Sequence, residues 1–309
     1  MLAISIGDVN GIGLEIALKA HKQIARFSKP LYCVHREVLE SACALLGYPL
    51  TMCEDMECVA DFAADTKDLI HPAQICAKSG KYSFDSFMQG VRLCEANVCS
   101  ALVTLPIHKG AWHKAGIESI GHTHALSSHF GVDSIMMLGC EELFVALFTD
   151  HVALKSVSGY VDKARVLGFL LTFARAIKLS EPCCVLGLNP HCGDGGIMGN
   201  EDAYIAKAVQ AANDTLKYEL FFGPYPPDSA FSPLNRKRFR YFVSMYHDVG
   251  LAPLKALYFE QSINVSLNLP ILRTSVDHGV AFDKAYKAQQ DISLTSYINA
   301  AKYAAQGGL

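Results

Sequence analysis

Short apolar runs rich in β-branched residues alternate along this chain with longer stretches of helical period. That alternation calls for strand–helix units with the strands lying parallel in a sheet covered on both faces, so the expected class is α/β. The runs expected as strands are Leu2 to Ile6, Leu31 to Val34, Ala101 to Thr104, Ile135 to Leu138, Phe144 to Thr149, Cys183 to Leu188 and Phe242 to Tyr246. Helices are expected over Leu14 to His21, Ser83 to Cys99, Lys163 to Leu179 and Glu201 to Leu216. The third of these repeats apolar residues at Val166, Leu167, Leu170 and Leu171. With 309 residues, 51% of them apolar, the chain is too long for one ordinary core and suits two compact domains of roughly 150 residues, which implies a cleft.

Charge and cysteine usage exclude several classes. The net charge of −3, with both signs interspersed, offers no basic face for a run of phosphates, so nucleic acid is not an expected partner. The opening Met1 to Asp8 lacks the basic and long apolar regions of a signal peptide, and no stretch is apolar for the ~20 residues that a membrane span needs. The expectation is a cytoplasmic protein with no membrane partner. Eleven cysteines, among them Cys33, Cys94, Cys140, Cys183 and Cys184, lie singly in apolar runs without CxxC pairs, and read as reduced core residues.

Three histidines occupy equivalent places. His151 follows the run Leu143 to Phe148 through Thr149 and Asp150, His191 follows Val185 to Leu188 through Asn189 and Pro190, and His247 closes Phe242 to Tyr246. Each stands where a buried strand is expected to give way to a loop, and the carboxyl ends of strands are where open α/β sheets bind ligands. Neutral imidazole is a common ligand of zinc and its neighbours, and three protein ligands leave a coordination position open for substrate. Asp150 and Asp248 would orient the rings. Each histidine alone reads better as a hydrogen-bonded residue at a strand end; the repeated pattern brings the set of three to an even balance with a metal site, and no HxxxH or HExxH spacing decides between the two.

Other stretches suit anions. Gly7-Asp8-Val9-Asn10-Gly11-Ile12-Gly13 reads as a glycine turn between a strand and a helix, in neither the dinucleotide nor the P-loop spacing. A structural turn is the simpler reading, although the glycines permit close backbone approach. After Gly121, His122 and Thr123 set an imidazole beside a hydroxyl, which suits phosphate oxygens. Lys255, Asn264 and Arg273, nine apart in a region broken by Pro253, Pro270 and Gly279, would together hold a phosphate or carboxylate, or else are three solvated polar residues.

Taken together, these stretches resemble the 4-hydroxythreonine-4-phosphate dehydrogenase family of pyridoxal phosphate biosynthesis. The likeness runs from Gly7 to Gly13 through Thr104-Leu105-Pro106-Ile107-His108-Lys109, Gly121-His122-Thr123, Asp150-His151-Val152 and Leu188-Asn189-Pro190-His191. It continues through Pro227-Asp228-Ser229, Tyr246 to Lys255 and Asn264-Val265-Ser266-Leu267 to Arg273-Thr274-Ser275-Val276-Asp277-His278-Gly279.

The resemblance implies a two-domain isocitrate and isopropylmalate dehydrogenase-like fold with largely parallel sheets. One domain would take residues 1–120 with 253–309, and a central domain 121–252 would carry the metal ligands and the dimer interface. It implies a homodimer with each active site shared across the interface, His247 of one chain joining His151 and His191 of the other around a divalent metal (zinc, cobalt or magnesium). His122, Thr123, Lys255, Asn264 and Arg273 would contact a small phosphorylated substrate. Asp228 falls where the family has an active-site carboxylate, Asp248 would assist catalysis, and Asp277, His278 and Gly279 open the loop for NAD or NADP. Lys255 is the candidate for proton transfer, because a neighbouring cation favours its neutral amine.

The chain departs from the family pattern at His124, where an acidic residue is usual, and at Asp194, where a glutamate is common. The usual Ile-Ala-Gly-Lys-Gly is here Lys284-Ala285-Tyr286-Lys287-Ala288. The implied reaction is oxidation of 4-phosphooxy-L-threonine followed by decarboxylation. A dehydrogenase of a related four-carbon phosphorylated acid, such as threonate or erythronate phosphate, is the nearest rival. A metal-dependent hydrolase or lyase would share the histidines without needing a nicotinamide.

Overall fold

The structure is a computed structural model that describes residues 1–287 and 291–308. Its strands are β1 (Leu2–Ser5), β2 (Pro30–Cys33), β3 (Glu57–Cys58), β4 (Ala101–Thr104), β5 (Ile135–Cys140), β6 (Leu143–Leu147), β7 (Cys183–Leu186), β8 (Phe221–Tyr225), β9 (Tyr241–Ser244), β10 (Ile263–Leu267) and β11 (Leu272–Val276). The helices are α1 (Gly13–Ile24), α2 (Arg36–Leu46), α3 (Ala77–Glu95), α4 (Lys109–Lys114), α5 (His122–Phe130), α6 (Leu154–Val157), α7 (Lys163–Ala176), α8 (Glu201–Leu216), α9 (Pro227–Ala230), α10 (Pro233–Arg238), α11 (His247–Tyr258) and α12 (Thr295–Ala305). All seven strands expected from the sequence are present, the ends shifted by a residue or two. The short β3, and β8, β10 and β11, were not legible as apolar runs.

The chain divides into two compact units, Met1–Asp133 with Ile263–Leu309, and Ser134–Ser262. The boundaries lie beyond α5 and α11 rather than at 120/121 and 252/253. His122 and Thr123 therefore belong to the first unit and Lys255 to the second, the reverse of the expected assignment.

In the first unit the strand order is β3-β2-β1-β4-β11-β10. The pairs β1–β2, β1–β4, β4–β11 and β2–β3 are parallel, and β10 runs antiparallel to β11. In the second unit the order is β5-β6-β9-β7-β8, parallel except for the antiparallel β5–β6 pair. Strands β1, β2, β4, β6, β7 and β9 are buried at every residue, as strands covered on both faces must be. Burial also explains the thiols: it pushes Cys94 and Cys140 up to about 12, keeping both protonated and inert. Among the described residues no helix is long and apolar enough to cross a membrane.

One helix contact sets a wall of the candidate site. The α3 and α4 helices touch at Gly80, where an added Cβ would lie 2.1 Å from the Ala111 carbonyl oxygen. That approach seats Trp112, which is fully buried and donates from Nε1 to Ser83 Oγ at 2.7 Å. Trp112 and Phe87 then pack on the His122 ring, with centroids at 5.5 Å and 4.8 Å.

Gly80→Ala should lower stability by about 2–3 kcal/mol or more, because the obstructing atoms are backbone and cannot turn aside. Calorimetry should then show Tm falling by roughly 5 °C. Gly168→Ala in α7, where a new Cβ meets nothing within 4 Å, should instead raise stability by about 0.5–1 kcal/mol. An unchanged Tm for Gly80→Ala would rule out this packing.

Candidate active site

Two groups of side chains gather on the sheets, one in each unit, the first reaching the carboxyl end of β4 and the second lying just beyond the carboxyl ends of β6 and β9. In the first unit the centre is Arg273 on β11. Register sets Arg273 opposite Ser266 of β10, and Ser275 opposite both Asn264 of β10 and Thr104 of β4. Since alternate residues share a face, Asn264, Ser266, Arg273, Ser275 and Thr104 all project from one side. Arg273 is 3% exposed. Its Nε and Nη2 donate to Thr104 Oγ1 at 3.1 and 2.7 Å, Nη1 donates to Ser266 Oγ at 3.1 Å, and Nη2 also faces His122 Nδ1 at 3.1 Å.

All three acceptors are neutral. Burial pushes the Arg273 pKa down to about 9, the signature of a guanidinium that has lost its water without gaining a carboxylate. His122 is pushed well below the ordinary imidazole value, first by burial and then by the charge of Arg273. Its Nε2 is buried with no hydrogen-bond partner, and so is Asn264 Oδ1. His122 and Thr123 open α5, whose first-turn amides add a favourable field for an anion. A buried cation, a helix start and unpartnered polar atoms together have the chemistry that suits an anion.

The second unit holds the histidines. His151 and His247 follow the paired strands β6 and β9, and that pairing continues past the strand ends. Phe148 N donates to Ser244 O at 2.9 Å, and Thr149 Oγ1 donates to Met245 O at 2.7 Å. The two imidazoles are thereby delivered together, with centroids 5.9 Å apart. Two imidazoles on one tetrahedral ion would have centroids roughly 5 Å apart, so the pair fits a shared cation with little adjustment.

His247 Nδ1 donates to Asp248 Oδ1 at 2.7 Å, and a carboxylate can only accept; the Nε2 lone pair therefore remains for a metal. His151 Nδ1 lies 3.5 Å from Asp150 Oδ2. The hydrogen bond with His151 is the main cause holding the Asp150 carboxyl below its usual range. His247 was expected where a strand gives way to a loop, but it is the first residue of helix α11, with Asp248 in the first turn.

His191 is displayed differently. His191, Cys192, Gly193, Asp194 and Gly195 all have left-handed dihedrals, with φ between 45° and 80°. For a non-glycine residue that conformation costs roughly 1–2 kcal/mol, so the turn must be held from outside. Asp202 holds it: its carboxylate accepts from Leu188 N at 2.8 Å, Asn189 N at 3.1 Å and Asn189 Nδ2 at 2.9 Å. Asn189 Nδ2 also reaches Glu201, and this bond keeps the Glu201 carboxyl below its usual range. At Gly193 a side chain would meet the Gly199 carbonyl at 2.6 Å.

The histidine set is only partly assembled. Among the described residues no three His, Cys, Asp or Glu side chains stand close enough to hold one ion. The expected partition had His247 coming alone from a partner chain; here His247 and His151 meet within one chain. Asp228, exposed in the first turn of α9, acts with Asp202 on the Cys192 thiol, raised to about 11 chiefly by burial, and so lies near the His191 turn. Lys255 sits inside α11, which continues through Pro253, and its ammonium lies 5.3 Å from the centroid of the Phe259 ring.

The expected cofactor loop begins at Asp277, whose amide donates to Ser296 Oγ at 3.0 Å; His278 Nδ1 donates to Gly279 O at 3.1 Å. Beyond Gly279 the loop is fastened to the glycine turn after β1. Ile12 N donates to Val280 O at 3.1 Å, Phe282 stacks on His108 at 5.1 Å, and Tyr286 Oη donates to Val9 O at 2.7 Å. Ala288, the last residue of the departing stretch, lies outside the described residues.

Thr104 and Ser266 fall inside stretches that carry the family resemblance but are not singled out there as site residues, and Asp202 has no signal beyond its place in a helix start. Their importance arises from partners as much as 169 residues away.

Residues 26–304 match the profile of the family described as pyridoxal phosphate biosynthetic protein PdxA. Over 304 residues the chain is 49% identical to a protein of Sulfurimonas denitrificans named 4-hydroxythreonine-4-phosphate dehydrogenase, covering 98% of this chain and 96% of that one. A crystal structure of 4-hydroxythreonine-4-phosphate dehydrogenase from Klebsiella pneumoniae superposes with a TM-score of 0.85 at 29% identity, over 99% of both chains. Isocitrate dehydrogenase from Methylococcus capsulatus, 10% identical with a TM-score of 0.50 over 99% of this chain and 84% of that one, shares the fold alone. Matched nearly end to end in sequence and in structure, this chain belongs to the pyridoxal phosphate biosynthetic protein PdxA family.

Proposed function

We propose that this chain oxidises 4-phosphooxy-L-threonine, with NAD or NADP and a divalent cation, to 2-amino-3-oxo-4-phosphooxybutanoate, which decarboxylates to 3-amino-2-oxopropyl phosphate in pyridoxal 5'-phosphate biosynthesis. Family membership supports the substrate. The observation that carries the reading at the level of residues is Arg273, a buried guanidinium with only neutral partners, beside the unpartnered Nε2 of His122. Such an arrangement is costly unless an anionic ligand completes it.

Arg273, His122, Thr123 and Asn264 grip an anionic group of the substrate and fix its orientation. His151 and His247 hold the cation, their rings oriented by Asp150 and Asp248. Imidazole donors suit zinc or cobalt better than magnesium. When bound, the cation stabilises negative charge developing on oxygen in both the oxidation and the decarboxylation. The loop opening at Asp277, His278 and Gly279 would hold the nicotinamide, which would supply the hydride acceptor; at exposed Gly279 no atom lies within 4 Å of a Cβ position, leaving room for close approach. The Lys255 amine takes the hydroxyl proton, and Asp228 is the remaining carboxylate at the site.

The third imidazole, His191, comes from a second copy of the chain, so the working unit is a homodimer with shared sites. Exposed apolar residues beside the ligands support this reading: Ile197 is 82% exposed next to the His191 turn, and Leu154 is 68% exposed just after His151. Buried against a partner, they would account for the incomplete histidine set.

Reduction of NAD or NADP by 4-phosphooxy-L-threonine should be lost on chelation and regained when zinc or cobalt is restored. Turnover indifferent to the chelator would remove the cation. Lys255→Ala should lower kcat by about 100-fold or more; an effect confined to KM would reduce Lys255 to a binding cation. Subunit exchange tests the shared site. Inactive His191→Ala and His247→Ala proteins, mixed and allowed to exchange, should recover about a quarter of wild-type activity, since one site in four then has all three imidazoles. Inactive His151→Ala and His247→Ala proteins should recover none, and recovery there would restore the partition in which His247 comes alone.

A further inference from the structure

The bonds around Arg273 constrain more than its own position. Guanidinium nitrogens only donate, so the His122 Nδ1 that faces Nη2 at 3.1 Å must carry a lone pair. An imidazolium would turn an N–H against an N–H and set two cations side by side in a buried place. His122 is therefore neutral, with its proton on Nε2, the atom that is buried without a partner. An Nε2–H can donate to a ligand and cannot take a proton from one.

What aims Nη2 at His122 is Thr104. Its Oγ1 accepts from Nε and Nη2 together, the two donors on one edge of the guanidinium plane. With that edge engaged, the second Nη2 hydrogen points away from Thr104, and it finds Nδ1. Ser266 holds Nη1 from the opposite strand but does not set this direction. Thr104 is itself the last residue of β4, fully buried, with its hydroxyl 3.5 Å from Thr274 O.

We infer that Thr104 is a positioning residue that, through Arg273, fixes His122 as an Nε2–H donor and thereby makes the anion site selective for acceptor-only groups such as phosphate or carboxylate oxygens. This rests on the reading of the Arg273 cluster as an anion site. It adds a specificity device to it: a ligand ammonium or other donor group meets a second donor there, and His122 has no role as a base.

The test uses the full-length protein with histidine imidazole nitrogens labelled with 15N, and inorganic phosphate as the probe. His122→Gln identifies the signals. In the wild type, long-range proton–nitrogen correlation should show His122 protonated at Nε2 and bare at Nδ1 between about pH 6 and pH 8, with Nε2–H shifting as phosphate is added. Thr104→Val, which keeps the shape but removes the acceptor, should lose the single tautomer and bind phosphate at least about tenfold more weakly. Thr104→Ser should restore both to within about threefold.

A wild-type His122 protonated at Nδ1 or at both nitrogens overturns the inference. So does a Thr104→Val protein of unchanged circular dichroism that binds phosphate as tightly as the wild type. If Thr104→Val does not fold, the wild-type spectrum and the Thr104→Ser affinity decide. An Nε2–H tautomer that ignores phosphate would overturn the anion site while leaving the Thr104–Arg273–His122 arrangement standing, so the two failures are distinguishable.

Discussion

Parallel pairing is the constraint from which the rest of this structure follows. Strands that run the same way bring their carboxyl ends to one edge, and each loop leaving that edge starts within a strand spacing of its neighbour. In the second unit β6, β9 and β7 are consecutive in the sheet, and the chain just beyond them carries His151, His247 and His191. In the first unit the loops after β1 and β4 meet at Asp8 N, which donates to Pro106 O at 2.9 Å, and the loop after β11 joins them at Val280 O. Residues more than a hundred positions apart are thus neighbours before any side-chain interaction is considered.

Within that frame the chain positions its chemistry by two unlike means. Arg273 is held by regular structure, with its strand locked in register on both sides and its guanidinium tied to one hydroxyl from each neighbouring strand. His191 is held by the opposite arrangement, a left-handed turn kept in place by the side chains of Asp202 and Asn189. The first gives a rigid grip on a charged group whose location must not vary. The second projects an imbalance outward: a residue in strained backbone, exposed, on a turn flanked by exposed apolar Ile197. His151 and His247, by contrast, are brought together by the pairing of their strands.

How much of this was legible in the sequence depended on whether a residue's partners are local. Strands β4 and β9 announced themselves because burial on both faces demands continuous apolar runs. Strands β10 and β11 did not, because Asn264, Ser266, Arg273, Thr274 and Ser275 break the apolar pattern, and three of those five are the anion site or its supports. Function erased the very periodicity that would have identified the element. The same holds for α11, where Gly250 and Pro253 argue against a helix locally. Gly250 is admitted because its Cβ position lies 2.7 Å from Ser244 Cβ, a close approach of helix to sheet. The histidines could be found because they sit one after another at strand ends; Thr104, although it opens a stretch that resembles the family, and Asp202 could not be singled out, since their partners lie far away in the sequence or across a turn.

The stretch after Gly279 shows how a departure from a family pattern becomes physically acceptable. Tyr286 occupies a position where that pattern has glycine, and its φ is 56°, a conformation that favours glycine and that a tyrosine adopts only at a cost of roughly 1–2 kcal/mol. The side chain offsets this through its hydroxyl, which donates to Val9 O at 2.7 Å, a carbonyl of the glycine turn after β1. Fastened also by Val280 and Phe282, the loop is tethered at three points to the segment from Val9 to His108, where glycine would leave the last of them absent. The substitution therefore exchanges backbone freedom in the loop for a fixed attachment to the first strand's turn. A loop so attached has less conformational freedom left to lose in any binding event that orders it, so less free energy would be spent on immobilising it.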